Sequence, residues 1–156
     1  LRFVHIPYEF VKQLFRTEED KGLIAWGRLL SETRMNVLIV ESRKELGGLW
    51  SRHLARLGAT VTVALTEDEA TGHLLDSPTD IIVLDLVLDE GSAIAVADFA
   101  NYRRPEAKVI FVTNTSFFSD GSIFQLCSNA CAYLPSATPP ADLAAMVEHF
   151  GQPEPH

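Results

Sequence analysis

Four segment ends in this chain carry side chains able to do chemistry. In TDIIVLDLVLDEGS, residues 79–92, Asp85 closes the apolar run Ile81-Ile82-Val83-Leu84. Glu41 follows NVLIV, Thr113 ends KVIFVT, and Pro135-Ser136 follow AYL. A strand that is apolar on both faces needs helices on both sides, and ligands and chemistry collect at the carboxyl ends of such strands. If the strands lie parallel, a carboxylate pair, a hydroxyl and a loop meet at one rim although they are far apart in sequence. Each residue also has a plainer role open to it. Asp85 could cap its own loop, Thr113 could bond locally, and Glu41 and Asp89 could be solvated acids.

The elements that must position these residues are legible as an alternation. Strands are predicted over 36–40, 59–64, 80–85, 108–113 and, more weakly, 132–135. Between them RKELGGLWSRHLARLG spaces Leu46, Leu49, Trp50, His53, Leu54 and Leu57 along one helical face and stops at Gly58. EDEATGHLLDS, SAIAVADFANYRR, DGSIFQLCSNA and PPADLAAMVEHFG supply four further helices. Right-handed crossovers with helices on both faces then predict an α/β, flavodoxin-like, doubly wound sheet of five parallel strands, in the order 2-1-3-4-5.

The chain of 156 residues is expected to hold one such domain, 35–151, with a short tail, 152–156, and an N-terminal extension, 1–34. In the extension, Phe10, Val11, Leu14 and Phe15, and after TEED Leu23, Ile24, Trp26, Leu29 and Leu30, form two amphipathic helical pieces. Their apolar faces need cover, either on this domain or, as the preferred expectation, in a homodimer through residues 1–34. Met35 opens the first strand directly and is an alternative start of the protein.

Composition narrows the function classes. The chain is 47% hydrophobic with a formal net charge of -8, a globular balance whose field repels phosphate backbones, so nucleic acid is not an expected partner. The extension is near neutral, with six basic and five acidic side chains against seven and sixteen in the rest. No apolar run reaches the length of a membrane span, and a cytoplasmic protein without a membrane partner is expected. Cys127 and Cys131, four apart in a predicted helix, are taken as two buried thiols rather than a redox or metal pair. His5, His53, His73, His149 and His156 show no zinc spacing. Gly47 and Gly48 fall inside a predicted helix, so no Gly-rich phosphate loop follows the first strand.

On these motifs, residues 35–150 resemble the receiver domain of two-component response regulators. NVLIVES resembles the first strand and its acidic turn, IIVLDLVLDEGSA the phosphoacceptor strand and loop, VIFVTN the fourth strand, and AYLPSATPPADL the fifth strand and last helix. The resemblance implies that Asp85 is the phosphoacceptor, a carboxylate nucleophile taking a phosphoryl group from a histidine kinase or phosphotransfer protein. It implies that Thr113 bonds a phosphoryl oxygen and that Tyr133 is an aromatic switch, although Tyr133 could equally be a half-buried aromatic on an edge strand. It further implies Mg²⁺ as cofactor, held by Glu41, Asp85 and the backbone carbonyl of Val87.

Two departures stand against that pattern. Ser42 occupies the place of a second acid that ordinarily binds the metal, so Mg²⁺ affinity should fall. Ser136 occupies the place of the family's lysine and offers only a neutral hydrogen bond. Ala137 replaces a proline, and Asn114 is bulkier than the residue usual at its position. Asp89 could supply a compensating carboxylate only if its loop folds inward. The expected function is a stand-alone response-regulator receiver, phosphorylated at Asp85 and signalling by protein contacts, since only QPEPH follows Gly151. Phe117, Phe118 and Phe124 lie near the expected contact face for a downstream protein partner. The alternative is a degenerate receiver acting as a phosphorylation-independent interaction or dimerisation module. An enzyme is not expected, because neither a nucleophile–base pair nor a phosphate cradle is visible.

Overall fold

The computed structural model describes residues 35–114 and 123–151, with the backbone alone at 123 and 124. The expected extension helices, Phe117, Phe118 and the tail lie outside the described residues, as does the side chain of Phe124. Five apolar runs form the strands β1 (Asn36–Val40), β2 (Thr60–Ala64), β3 (Ile81–Asp85), β4 (Lys108–Thr113) and β5 (Ala130–Pro135). They make one parallel sheet in the order β2-β1-β3-β4-β5. This is the flavodoxin-like arrangement expected from the strand–helix alternation. The helices are α1 (Lys44–Arg56), α2 (Glu67–Asp76), α3 (Ala93–Arg103), α4 (Ile123–Leu126) and α5 (Pro140–Gly151).

Side chains alternate along each strand, so a strand buried on both faces feeds two cores. Val37, Ile39, Ile81, Val83, Ile110 and Val112 pack with Trp50 and Leu54 of α1 and Leu143, Met146 and Val147 of α5. Leu38, Val40, Ile82, Leu84, Val109 and Phe111 pack with Ala70 and Leu74 of α2 and Val96, Ala97 and Ala100 of α3. Central β3 is buried along its whole length, whereas edge strand β2 is only partly covered. That difference explains why its sequence, TVTVA, tolerates threonines.

Local chemistry sets the helix limits. Thr66 Oγ1 accepts from Glu69 N at 3.2 Å and Ser92 Oγ from Ala95 N at 3.2 Å, each satisfying an otherwise unpaired first-turn donor. Gly58 follows α1 with a φ of +89°, the left-handed ending the sequence suggested.

One expected element is different. Among the described residues the fourth helix ends at Leu126 rather than running through Ala130, because the chain turns at Ser128 and Asn129 and enters β5 at Ala130. The two cysteines therefore do not share a helical face. Cys127 belongs to the core under α2 and α3, and Cys131, in β5, to the core under α1 and α5. The β4–β5 register slips between Val109 and Ile110, whose partners are Ala130 and Ala132, leaving Cys131 as the extra residue. Both thiols are free and buried. Burial pushes them up to about 11 and about 12 respectively, so the thiolate that redox and metal chemistry need is disfavoured.

Candidate functional site

Parallel pairing in register is what assembles the rim. Val40 lies opposite Leu84, which places Glu41 and Asp85 level at the carboxyl ends of adjacent strands β1 and β3. Asp85 lies opposite Val112, so Thr113 stands one residue further along β4, and Thr113 in turn lies opposite Pro135. Ser136 N donates to Thr113 O at 2.9 Å, joining the loop after β5 to the same edge. Glu41, Asp85 and Thr113 are all buried, at 0%, 5% and 2% exposure. Glu41 is therefore not a solvated acid, and Asp85 keeps a narrow opening to solvent.

Arg43 joins the two carboxylates. Glu41 Oε1 accepts from both the backbone N and the Nε of Arg43, each at 3.0 Å, and Arg43 Nη2 lies 3.4 Å from Asp85 Oδ2. The arginine side chain is 51% exposed, against 1% for Glu41 and 7% for Asp85, so the cation that pairs the two shielded carboxylates itself reaches solvent. Charge-assisted bonds of this kind are stronger than neutral ones. Arg43 is not among the residues the sequence pointed to. The available signal was a basic residue two positions after a strand-end carboxylate, which also describes any solvated helix start.

Asp85 is held by its own loop, with Val87 N donating to Oδ1 at 2.9 Å. Val87 thus meets the site through its N–H, while its side chain is exposed. Burial first, and then the Glu41 carboxyl within hydrogen-bonding reach, push Asp85 up from the usual 3.8 to about 7, while the Val87 N–H and Arg43 pull the other way. Glu41 Oε2 is buried without a hydrogen-bond partner. Arg43 is raised, chiefly by its bond to Glu41.

Ser42 is turned to a structural task. Its Oγ donates to Leu65 O at 3.1 Å and accepts from Asp89 N at 2.9 Å, tying the β1 turn to the end of β2 and to the loop after β3. Asp89 approaches the rim through its backbone, and the residue is exposed. Tyr133 is half-buried on edge strand β5, packed against the α2/α3 core. Ser136 Oγ is buried without a partner. Asn114 is exposed, and no cis peptide bond occurs among the described residues.

A hard divalent cation needs several oxygens at short range and near-octahedral geometry. Here two carboxylates already hold a guanidinium, Ser42 has its hydroxyl committed as donor and acceptor, and no group of three His, Cys, Asp or Glu side chains among the described residues is arranged to hold a metal. As arranged, this donor set does not match Mg²⁺.

The topology decides the comparison with known structures. The fold is that of a receiver domain. The chain is similar to a CheY-like response regulator receiver domain protein from Methanospirillum hungatei, at 23% identity and a TM-score of 0.70, over 76% of this chain and 94% of that one. It is similar to the non-phosphorylated HemR receiver domain from Leptospira biflexa, at 22% identity and a TM-score of 0.69, over 79% and 99%. A third likeness is to the BeF3-activated receiver domain of DrrB from Thermotoga maritima, at 24% identity and a TM-score of 0.67, over 76% and 97%. No family model matches the sequence, and no curated protein matches it either. The receiver fold thus accounts for about three quarters of the chain. Among the described residues no helix is long and apolar enough to cross a membrane.

Proposed function

We propose that this protein is a signalling receiver in which Asp85 accepts a phosphoryl group from a histidine kinase or phosphotransfer protein and the state of the site is relayed by contact with another protein. The observation that carries the reading is the position of Asp85, at the carboxyl end of central strand β3, level with Glu41 and with a remaining opening to solvent. A carboxylate oxygen of Asp85 attacks phosphorus, the bond from phosphorus to the donor imidazole nitrogen breaks with its electron pair going to nitrogen, and an acyl phosphate results. Environments that raise a carboxyl group make it a better nucleophile once ionised, and Asp85 is such a group.

In this reading Arg43, which already bonds both carboxylates, and the Thr113 hydroxyl meet the phosphoryl oxygens. A rearrangement of the rim that moves Thr113 and half-buried Tyr133 would shift the population of surfaces offered to a partner around α4, β5 and α5. The chain acts in this reading as a signalling module and not as an enzyme, and a homodimer through residues 1–34 belongs to the same reading. The test is incubation with acetyl phosphate or a beryllofluoride mimic, with and without Mg²⁺, followed by intact mass or NMR. An adduct of one phosphoryl group that disappears in Asp85→Asn supports the proposal. Absence of adduct and of beryllofluoride-induced shifts under every condition refutes it.

A second reading is a degenerate receiver that serves as a constitutive interaction module. It is favoured by Ser42, whose hydroxyl is committed to Leu65 and Asp89, and by the arginine that holds both carboxylates. Partner binding that is identical for the wild type and Asp85→Asn distinguishes it from the first.

A further inference from the structure

Glu41 and Asp85 are two buried carboxyl groups on neighbouring strands, and such a pair requires a counter-charge. The charge present is supplied from within the chain. Arg43 is held by its backbone N and its Nε to one oxygen of Glu41, and its Nη2 reaches across to Asp85, 42 residues away in sequence. Its backbone immediately precedes α1, with Gly47 N donating to Arg43 O at 3.0 Å, so the guanidinium is anchored at its base as well as its tip. Gly47 lets α1 pack closely on β2, since a Cβ there would stand 3.2 Å from Val63 Cγ1.

We propose that Arg43 is the resident cation of this site, taking the place of the divalent metal that an acidic phosphoryl-accepting rim otherwise needs, so that the site works without Mg²⁺. The role of the cation rests on the receiver reading above; the exclusion of metal rests on the geometry alone. With both acids ionised, Glu41, Asp85 and Arg43 carry a net charge of -1, so an incoming Mg²⁺ meets one negative charge less than the carboxylates alone would offer. It also meets a guanidinium at contact distance from both would-be ligands. Ser42 cannot replace the missing acid, because a hydroxyl is neutral and this one is already bonded on both sides. About half of the Arg43 side-chain surface is solvent-exposed, and a guanidinium offers planar N–H pairs suited to a tetrahedral oxyanion. The same residue that keeps metal out can thus receive the phosphoryl oxygens.

The experiment is a titration of the full chain with MgCl₂ at constant ionic strength, followed by amide NMR of residues 41–44 and 85–89, on the wild type, Arg43→Ala, Arg43→Gln and Arg43→Lys. The wild type should show no saturable shift at millimolar Mg²⁺. Arg43→Ala, or Arg43→Gln should the former fail to fold, should acquire saturable binding tighter by about tenfold or more, and Arg43→Lys, which keeps the charge, should acquire much less. Saturable Mg²⁺ binding by the wild type at residues 41 and 85, or neutral variants that gain no affinity, overturns the proposal. Adduct formation with acetyl phosphate in a chelator separates this from the receiver reading. An adduct that forms only with Mg²⁺ overturns the role of Arg43 while leaving Asp85 the phosphoacceptor. An adduct that never forms, beside metal exclusion that depends on Arg43, overturns the phosphoacceptor and leaves Arg43 the cation.

Discussion

Replacing Asp85 by asparagine should stabilise the fold, and the gain should depend on pH. The side chain titrates near 7 in the folded protein against an ordinary 3.8. One pH unit of difference corresponds to about 1.4 kcal/mol, so ionised Asp85 opposes folding by at most about 4 kcal/mol. Below the ordinary value the carboxyl is protonated in folded and unfolded chains alike, and the stability it permits is fully present. That stability is lost as pH rises from about 4 to about 7, because the folded state holds the proton more tightly, and the loss levels off above that window. Asparagine keeps an oxygen for the Val87 N–H and removes the charge that burial disfavours. It gives up the ion pair to Arg43, whose bonds to Glu41 remain. The variant should therefore be more stable than the wild type by roughly 2–3 kcal/mol at alkaline pH, equivalent to a rise in Tm of about 5–10 °C for a chain of this length. Urea and thermal unfolding of both proteins at about pH 4.5, 6 and 8 measure the gap, which should widen with pH across that series. A variant no more stable than the wild type at pH 8, or a gap indifferent to pH, would refute the view that burial and Glu41 disfavour the charge on Asp85.

Three further outcomes follow from the same geometry. Ser42→Ala removes both bonds of the hydroxyl, leaving Leu65 O and Asp89 N to find new partners, and should cost about 1–2 kcal/mol in chemical denaturation. Gly91→Ala should cost about 1–3 kcal/mol, because Gly91 has a φ of +96° and a Cβ there would run into the Glu67 Cβ; an unchanged urea midpoint would show that the loop after β3 can shift away from α2. Cys127 and Cys131 should resist alkylation by iodoacetamide at pH 8 in the native state and react together on unfolding, as followed by intact mass, since both are buried with raised thiol values.

What the sequence determined by itself was the architecture and the rim. Apolar runs of five or six residues, alternating with helix-like spacing that stops at Gly58, are local signals, because burial on both faces leaves a strand no polar positions. The strand order follows from right-handed crossovers, and it puts Glu41, Asp85, Thr113 and Ser136 at one edge without any knowledge of side-chain positions. One local signal failed: DGSIFQLCSNA reads as a helix, but Ala130 and Cys131 belong to a bulged edge strand, a choice made by pairing with β4. Tertiary structure alone decided what the rim does with its charge. Nothing within two residues of Glu41 shows that Arg43 will reach Asp85, nor that Ser42 will spend its hydroxyl on Leu65 and Asp89. Those bonds join segments more than twenty residues apart, and they exist because β1 lies between β2 and β3 in parallel register, which carries three distant loops to one end of the sheet.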